Sequence, residues 1–282
     1  MISKFKIFFI LISLLFFWSC ADKTNEISKI VEVDMEMQMS NAYKEGYQQL
    51  ENGDVLQAAK KFNEAELLFP QSTWAPKSAI MAAYAYYTQS YYGDAIFELK
   101  RYLKTYPNHK DKVYAHFLLG MSFYEQIIDE KKDLKSILDS KEQFNLIIKE
   151  YPNTEFAVDA KFKIDLIDEI LAAKEMYVAR YYLKKDKWIP ALNRFKKIVI
   201  EYNTTIYTEE ALHRLVEINY RLGLIEESKK YANTLGYNYE SSEWYKNSYE
   251  VFNKNYRDGI KELKKDKKKK IGIMKRFKGL LE

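Results

Sequence analysis

The residue best placed for covalent chemistry is Cys20, the one cysteine of the chain. Lys4 and Lys6 precede an apolar stretch, residues 7–18, broken only by Ser13, and Ser19 and Cys20 follow directly. A stretch of twelve residues is too short to span a bilayer, so residues 1–19 read as a signal peptide. A thiol just behind such a segment, with a small residue before it, suits cleavage at the cysteine and acylation of its sulfur. Several acyl chains on one residue bury enough methylenes for stable anchoring.

Nothing else in the chain reads as catalytic. His109, His116 and His213 stand far apart, no HExxH, P-loop or GxGxxG occurs, and the nine glycines never cluster. Asp165, Asp168 and Glu169 form the densest carboxylate group, but Lys161 lies four residues before Asp165, as on a solvated helix face. A single cysteine excludes a disulfide framework and a multi-thiolate zinc site. The expectation is a non-enzyme with no cofactor and no metal.

Composition narrows the class. At 282 residues, 47% hydrophobic and 30% charged, the chain can bury a large core and is not a multispanning membrane protein. Nine Gly and five Pro are too few for an all-β protein. Residues 261–282 hold ten Lys/Arg against three acids, or +7 of a total of +5, so the rest carries −2. That distribution describes a basic tail on a near-neutral body and predicts no nucleic-acid partner.

One pattern recurs five times. A small residue is followed by apolar residues four and seven later and an aromatic eleven later: Ala58, Phe62, Ala65, Phe69; Ala95, Leu99, Tyr102, Tyr106; Ser140, Phe144, Ile147, Tyr151; Ala191, Phe195, Ile198, Tyr202; Ser228, Ala232, Leu235, Tyr239. Pro70, Pro107 and Pro152 close the first three copies. The spacing puts all four positions on one helical face, and Pro ends each helix. A second amphipathic helix precedes each copy, with turns expected at Asn52-Gly53-Asp54, Tyr92-Gly93-Asp94, Lys185-Asp186-Lys187 and Leu222-Gly223-Leu224. Such helix pairs resemble the tetratricopeptide repeat. The predicted fold is an all-α tetratricopeptide-repeat solenoid of about five helix pairs.

The separations between copies are uneven. Extra residues in the third unit are placed in the polar run 129–139, and a connecting helix is expected between two blocks. The organisation predicted is a lipidated tether over 20–38, N-terminal repeats over 39–155, a linker helix over 156–171, C-terminal repeats over 172–240 and a basic amphipathic tail over 241–282. Neither Gly nor Pro interrupts residues 153–189, so the linker could run on as a strut. Thr208, with Glu210 and Ala211, looks like the cap of a following helix. In the tail, Ile273, Met274, Phe277, Leu280 and Leu281 fall on one helical face among basic residues, as suits an anionic membrane surface or a partner.

The lipidated cysteine, repeat order and linker helix together resemble the BamD family of the outer-membrane β-barrel assembly machine. Tyr84-Ala85-Tyr86-Tyr87, Arg101-Tyr102-Leu103, Tyr106-Pro107-Asn108-His109 and Tyr151-Pro152-Asn153-Thr154 read like that family. So do Tyr181-Tyr182, Trp188, Asn193-Arg194 and Glu201-Tyr202 in the fourth unit. The resemblance implies a non-catalytic scaffold, lipid-anchored through Cys20 to the periplasmic face of the outer membrane. Ala21, where Asp would favour inner-membrane retention, agrees with that destination. Implied partners are the periplasmic domains of BamA, other lipoproteins of the machine, and unfolded outer-membrane proteins.

Carried over by motif, Arg194, Tyr181 and Tyr182 are candidates for the BamA side, Arg supplying bidentate and stacked contacts. For substrate, Trp74 sits in a polar turn after Pro70-Gln71-Ser72-Thr73, and Tyr84 and Tyr87 belong to a tyrosine-rich helix pair suited to an extended aromatic-ended peptide. Packing between helices is the alternative use for every one of these tyrosines. The alternative function is another periplasmic repeat adaptor, serving cell-envelope constriction or polysaccharide export.

Overall fold

In a computed structural model the chain is described over residues 34–127 and 134–253. Eleven helices are found among these residues: α1 (Met35–Glu51), α2 (Val55–Leu68), α3 (Ala75–Thr88), α4 (Tyr92–Thr105), α5 (Lys112–Tyr124), α6 (Lys135–Glu150), α7 (Glu155–Lys184), α8 (Trp188–Glu201), α9 (Thr208–Leu222), α10 (Ile225–Asn238) and α11 (Glu243–Val251). Each packs on its neighbour in the chain, and α3 also meets α5, α5 meets α7, and α9 meets α11. This is a solenoid of helix pairs, all-α over the described residues, in which each pair covers the apolar face of the next.

The five-fold pattern builds the core. The small residues Ala58, Ala95, Ser140, Ala191 and Ser228 are fully buried, as are the residues seven positions on. Phe62, Phe144 and Phe195, four positions on, are also fully buried. Two of the small residues are serines whose hydroxyls donate to carbonyls of the partner helix, Ser140 to Gly120 at 2.9 Å and Ser228 to Val216 at 2.8 Å. A buried hydroxyl is thereby satisfied while its volume stays small. Glycine on the facing helix completes the fit: a Cβ at Gly46 would stand 2.9 Å from the Phe62 ring, and one at Gly120 would stand 2.8 Å from Phe144.

The aromatic at the end of each copy is the helix C-cap. Tyr106, Tyr151, Tyr202 and Tyr239 each leave the helical region at φ between −122° and −139° and still donate their N–H to the carbonyl four residues back. Tyr202 and Tyr239 do this before Asn203 and Glu240, so the geometry does not depend on the restriction a following Pro imposes.

Three expected local features fall elsewhere. The second unit turns at Gln89-Ser90-Tyr91, where Ser90 has φ 64°, and Gly93 lies inside the first turn of α4. The left-handed residue stands five positions before the small residue in four units: Gly53, Ser90, Asp186 and Gly223. Turn geometry thus keeps the repeat register even where glycine does not. Helix α6 begins at Lys135, so only part of the 129–139 run is available as an insertion, and residues 128–133 lie outside the described residues. Thr208 is the buried first residue of α9; its hydroxyl donates to the Tyr202 carbonyl, and no side chain caps that helix.

The long helix α7 is continuous for 30 residues, through position 171 where a change from linker to second block is expected. Its first half packs Ala157, Ala160 and Ile167 into a cluster with Ile137, Phe144 and Ile147. Its second half packs Met176 and Ala179 against Ala191 and Phe195 of α8. Tyr202 joins the first cluster, so one helix and one aromatic bridge the two groups of repeats.

At the end, α11 caps the solenoid within a region that the sequence reads wholly as tail. Val251 and Ser248 are fully buried. His213 on α9 shares a 2.8 Å hydrogen bond with Ser248, and its ring lies 5.2 Å from that of Trp244. Burial pushes His213 below its ordinary value of 6.5, and burial does the same to His116 on α5. A base with a lowered folded-state pKa stabilises the fold in full above 6.5, and that stability is lost as pH falls toward the folded value. The melting temperature is therefore expected to fall between about pH 7 and 5. The fall should be shallower in His213→Gln; an unchanged slope would remove His213 from the acid response.

Candidate functional site

The fourth unit presents a groove of about 410 Å³ lined by Tyr182, Ile189, Pro190, Asn193, Arg194 and Lys197. Tyr182 comes from the end of α7 and the others from α8, and the turn at Lys185-Asp186-Lys187 folds α8 back beside it. Tyr182 is half-buried against the core of this unit. Tyr181 is exposed and meets Tyr182 edge-on, with ring centroids 5.8 Å apart. Lys185 lies 6.0 Å from the Tyr181 ring. Ile189 is 56% exposed and adds an apolar side chain to the groove.

Two of the lining residues, Arg194 and Lys197, are held by a buried carboxylate. Glu175 on α7 is buried and accepts one hydrogen bond from Arg194 and one from Lys197, each 2.9 Å. Burial raises the Glu175 pKa, and the two cations outweigh it, leaving the carboxyl below its ordinary value. The buried carboxylate thus holds two half-exposed cations at the groove beside two aromatic rings, and Lys197 also lies 3.9 Å from Glu201. The sequence places Arg194, Tyr181 and Tyr182 here; it does not reveal Glu175, one of many acids on a helix with no motif to mark it.

The substrate candidates separate. Trp74 is the N-cap of α3 and 41% exposed. Ser72 fixes the turn, its hydroxyl accepting from the N–H groups of Trp74 and Ala75. The Trp74 ring meets Tyr43 of α1 edge-on at 5.3 Å, and Lys77 stands 4.6 Å above it. Trp74 and Tyr43 share a groove of about 540 Å³ with Met37, Asn41 and Lys44. Tyr84 and Tyr87 lie about 15 Å and more farther along α3, at 1.5 Å per residue. Both are half-buried against the cluster of Leu99, Tyr102 and Leu118 rather than lining that groove. Burial raises the Tyr87 pKa, as for a hydroxyl withdrawn from water. The structure therefore brings Trp74 to Tyr43, which sequence reading misses, and sets Tyr84 and Tyr87 apart from that groove, half-buried beside the core of the second unit.

Cys20 lies outside the described residues. Among the described residues no group of three His, Cys, Asp or Glu could hold a metal ion, and no helix is long and apolar enough to cross a membrane.

Comparison with known proteins fits this arrangement. The family model YfiO, outer membrane lipoprotein, matches residues 35–235, from the first residue of α1 into α10. A protein of Caulobacter vibrioides named outer membrane protein assembly factor BamD is 35% identical over 246 residues, 87% of this chain and 80% of the relative. Proteins of the same name from Rickettsia prowazekii and Neisseria gonorrhoeae are 36% and 29% identical, covering 80% and 68% of this chain and 89% and 76% of theirs. The chain belongs to the YfiO family of outer membrane lipoproteins, the family of the assembly factor BamD.

Proposed function

We propose that this protein acts in outer-membrane protein assembly as a non-catalytic scaffold, held at the periplasmic face of the outer membrane by acylated Cys20. The observation that carries this reading is membership of the YfiO family, with relatives named as assembly factors along nearly the whole length of the chain. The surface chemistry supports it. A scaffold needs rigid positioning and separate contact faces, and a helix-pair solenoid offers both. The groove of Tyr182, Ile189 and Arg194, with Tyr181 at its rim, is the face we assign to the periplasmic domains of BamA, because aromatic and Arg anchors around an apolar centre make an interface. The Trp74–Tyr43 groove is the face we assign to unfolded outer-membrane proteins, whose extended aromatic-ended segments would bury area there without a side-chain code.

The test is recovery of the full-length protein from its own envelope in mild detergent, with mass-spectrometric identification of its companions. A stoichiometric outer-membrane β-barrel protein bearing periplasmic domains is the expected companion. Recovery of peptidoglycan-linked or polysaccharide-export proteins in its place would overturn the reading.

A further inference from the structure

The first half of α7 carries an apolar surface that the interface above does not use. Its inner face is committed to the core through Phe156, Ala160 and Ile167. On the outer face Val158 and Phe162, one turn apart, are 67% and 62% exposed. Farther along that face the Glu169 carboxylate accepts the N–H of Ile206, and Ile206 is itself 78% exposed. Over residues 155–165 three exposed acids, Glu155, Asp159 and Asp165, stand against exposed Lys161 and half-buried Lys163, the latter 4.5 Å from the Tyr124 ring, a balance of −1. The surface is thus an apolar ridge in a mildly acidic setting, and it lies where the two groups of repeats join.

We propose that this ridge is covered by the end of the same chain, residues 261–282, docked in cis. The chemistry is complementary. That segment has +7 and places Ile273, Met274, Phe277, Leu280 and Leu281 at spacings of 0, 1, 4, 7 and 8, one apolar face among cations. The family match covers residues 35–235, so the basic segment lies beyond the repeats that define the family.

The length is sufficient. The described chain ends at Asn253 just after α11, which is fastened to α9 through Ser248 and His213. Helix α9 starts two residues after Ile206, so His213 is about 10 Å along its axis from that end, and Glu169 is about 10 Å from Phe162. The nineteen residues 254–272 can span roughly 60 Å extended, well beyond the sum of those steps. Tethering at that length raises the local concentration of the segment at the ridge, so modest contacts hold it there.

The experiment places the photo-crosslinker p-benzoylphenylalanine at position 162 of the full-length protein in detergent, and at position 158 in a second variant. Irradiation is expected to join α7 to peptides within residues 271–281 in a species of monomer mass, with the adduct lost in Phe277→Glu/Leu280→Glu and reduced in high salt. Adducts only with detergent or lipid would mean that the ridge meets the amphiphile directly and is not covered by the segment, overturning docking in cis. Adducts in a species of dimer mass, with another envelope protein, or on no residue beyond 260 would equally overturn docking in cis. None of these outcomes bears on the companions found in the envelope pull-down, so this inference and the assembly reading stand or fall separately.

Discussion

Arg194→Glu is expected to destabilise the C-terminal repeats by about 3 kcal/mol, whereas Arg194→Gln leaves them folded and still loses roughly tenfold in partner affinity. From sequence, Arg194 lies between core positions 191 and 195 and is expected to face partly outward, which would make charge reversal a clean probe of an interface. The contact with Glu175 changes that. Glu175 is 8% exposed and keeps its charge because Arg194 and Lys197 both donate to it. Reversing Arg194 sets a second carboxylate beside a buried one, and Lys197 cannot neutralise both. Gln removes the charge offered to a partner while its amide can still donate to Glu175. Chemical denaturation of both variants, beside partner binding, separates the effects. Equal stability of Arg194→Glu and wild type would show that the ion pair contributes nothing to the fold. Unchanged binding by Arg194→Gln would take Arg194 out of the interface.

Much of the fold is legible because the repeat is written in residue size. Where a small residue, two core positions and an aromatic recur at fixed spacing, the helix face and its end follow from geometry, and all five copies lie where the spacing puts them. What is less legible depends on backbone conformation rather than side-chain type. Ser90 takes the left-handed turn although Gly93 is three residues away, because the turn must precede the small residue by five positions to keep register. Asp186 does the same in the fourth unit. Helix α11 is hard to read because its stabilising contacts, Ser248 and the tilted Trp244 ring to His213, join residues 35 and 31 positions apart.

The candidate site is legible to a different degree in each half. Arg194 and the tyrosine pair stand on the rim of one groove, since positions 181, 182 and 194 flank a single tight turn. Tyr84 and Tyr87 could not be assigned from sequence, where a tyrosine on an amphipathic helix serves packing and binding equally well. Both rings pack against the core of the second unit and keep part of their surface exposed. Tyr43 was invisible as a site residue because only the approach of α1 to the start of α3 puts it against Trp74.

Arg101→Met is expected to cost about 3 kcal/mol and to loosen the first unit from the second, the larger of the structural effects in the N-terminal repeats. Arg101 on α4 reaches across to α2, where Glu66 accepts two of its N–H groups at 2.9 and 2.6 Å, and it also donates to Glu98 at 2.8 Å and Asn63 at 3.3 Å. Tyr106 donates to Glu66 at 2.7 Å, and Asn63 donates to Glu98. Glu66 and Glu98 are both buried, so this cluster joins two carboxylates through a single guanidinium. The hydrogen bonds to Glu66 hold Arg101 more firmly in its charged form than an exposed arginine. Methionine fills the space of the side chain and leaves the two buried carboxylates facing each other with only neutral donors. The double variant Glu66→Gln/Arg101→Met should regain most of the loss, because it removes one of the stranded charges. Urea unfolding of the four proteins in the cycle measures the coupling. Hydrogen exchange across α2 and α4 locates it: faster exchange in both helices of Arg101→Met, with α8 unchanged, is the expected pattern. A coupling near zero would mean that apolar contacts alone, Phe62 and Leu99 foremost, set how the first two units stack.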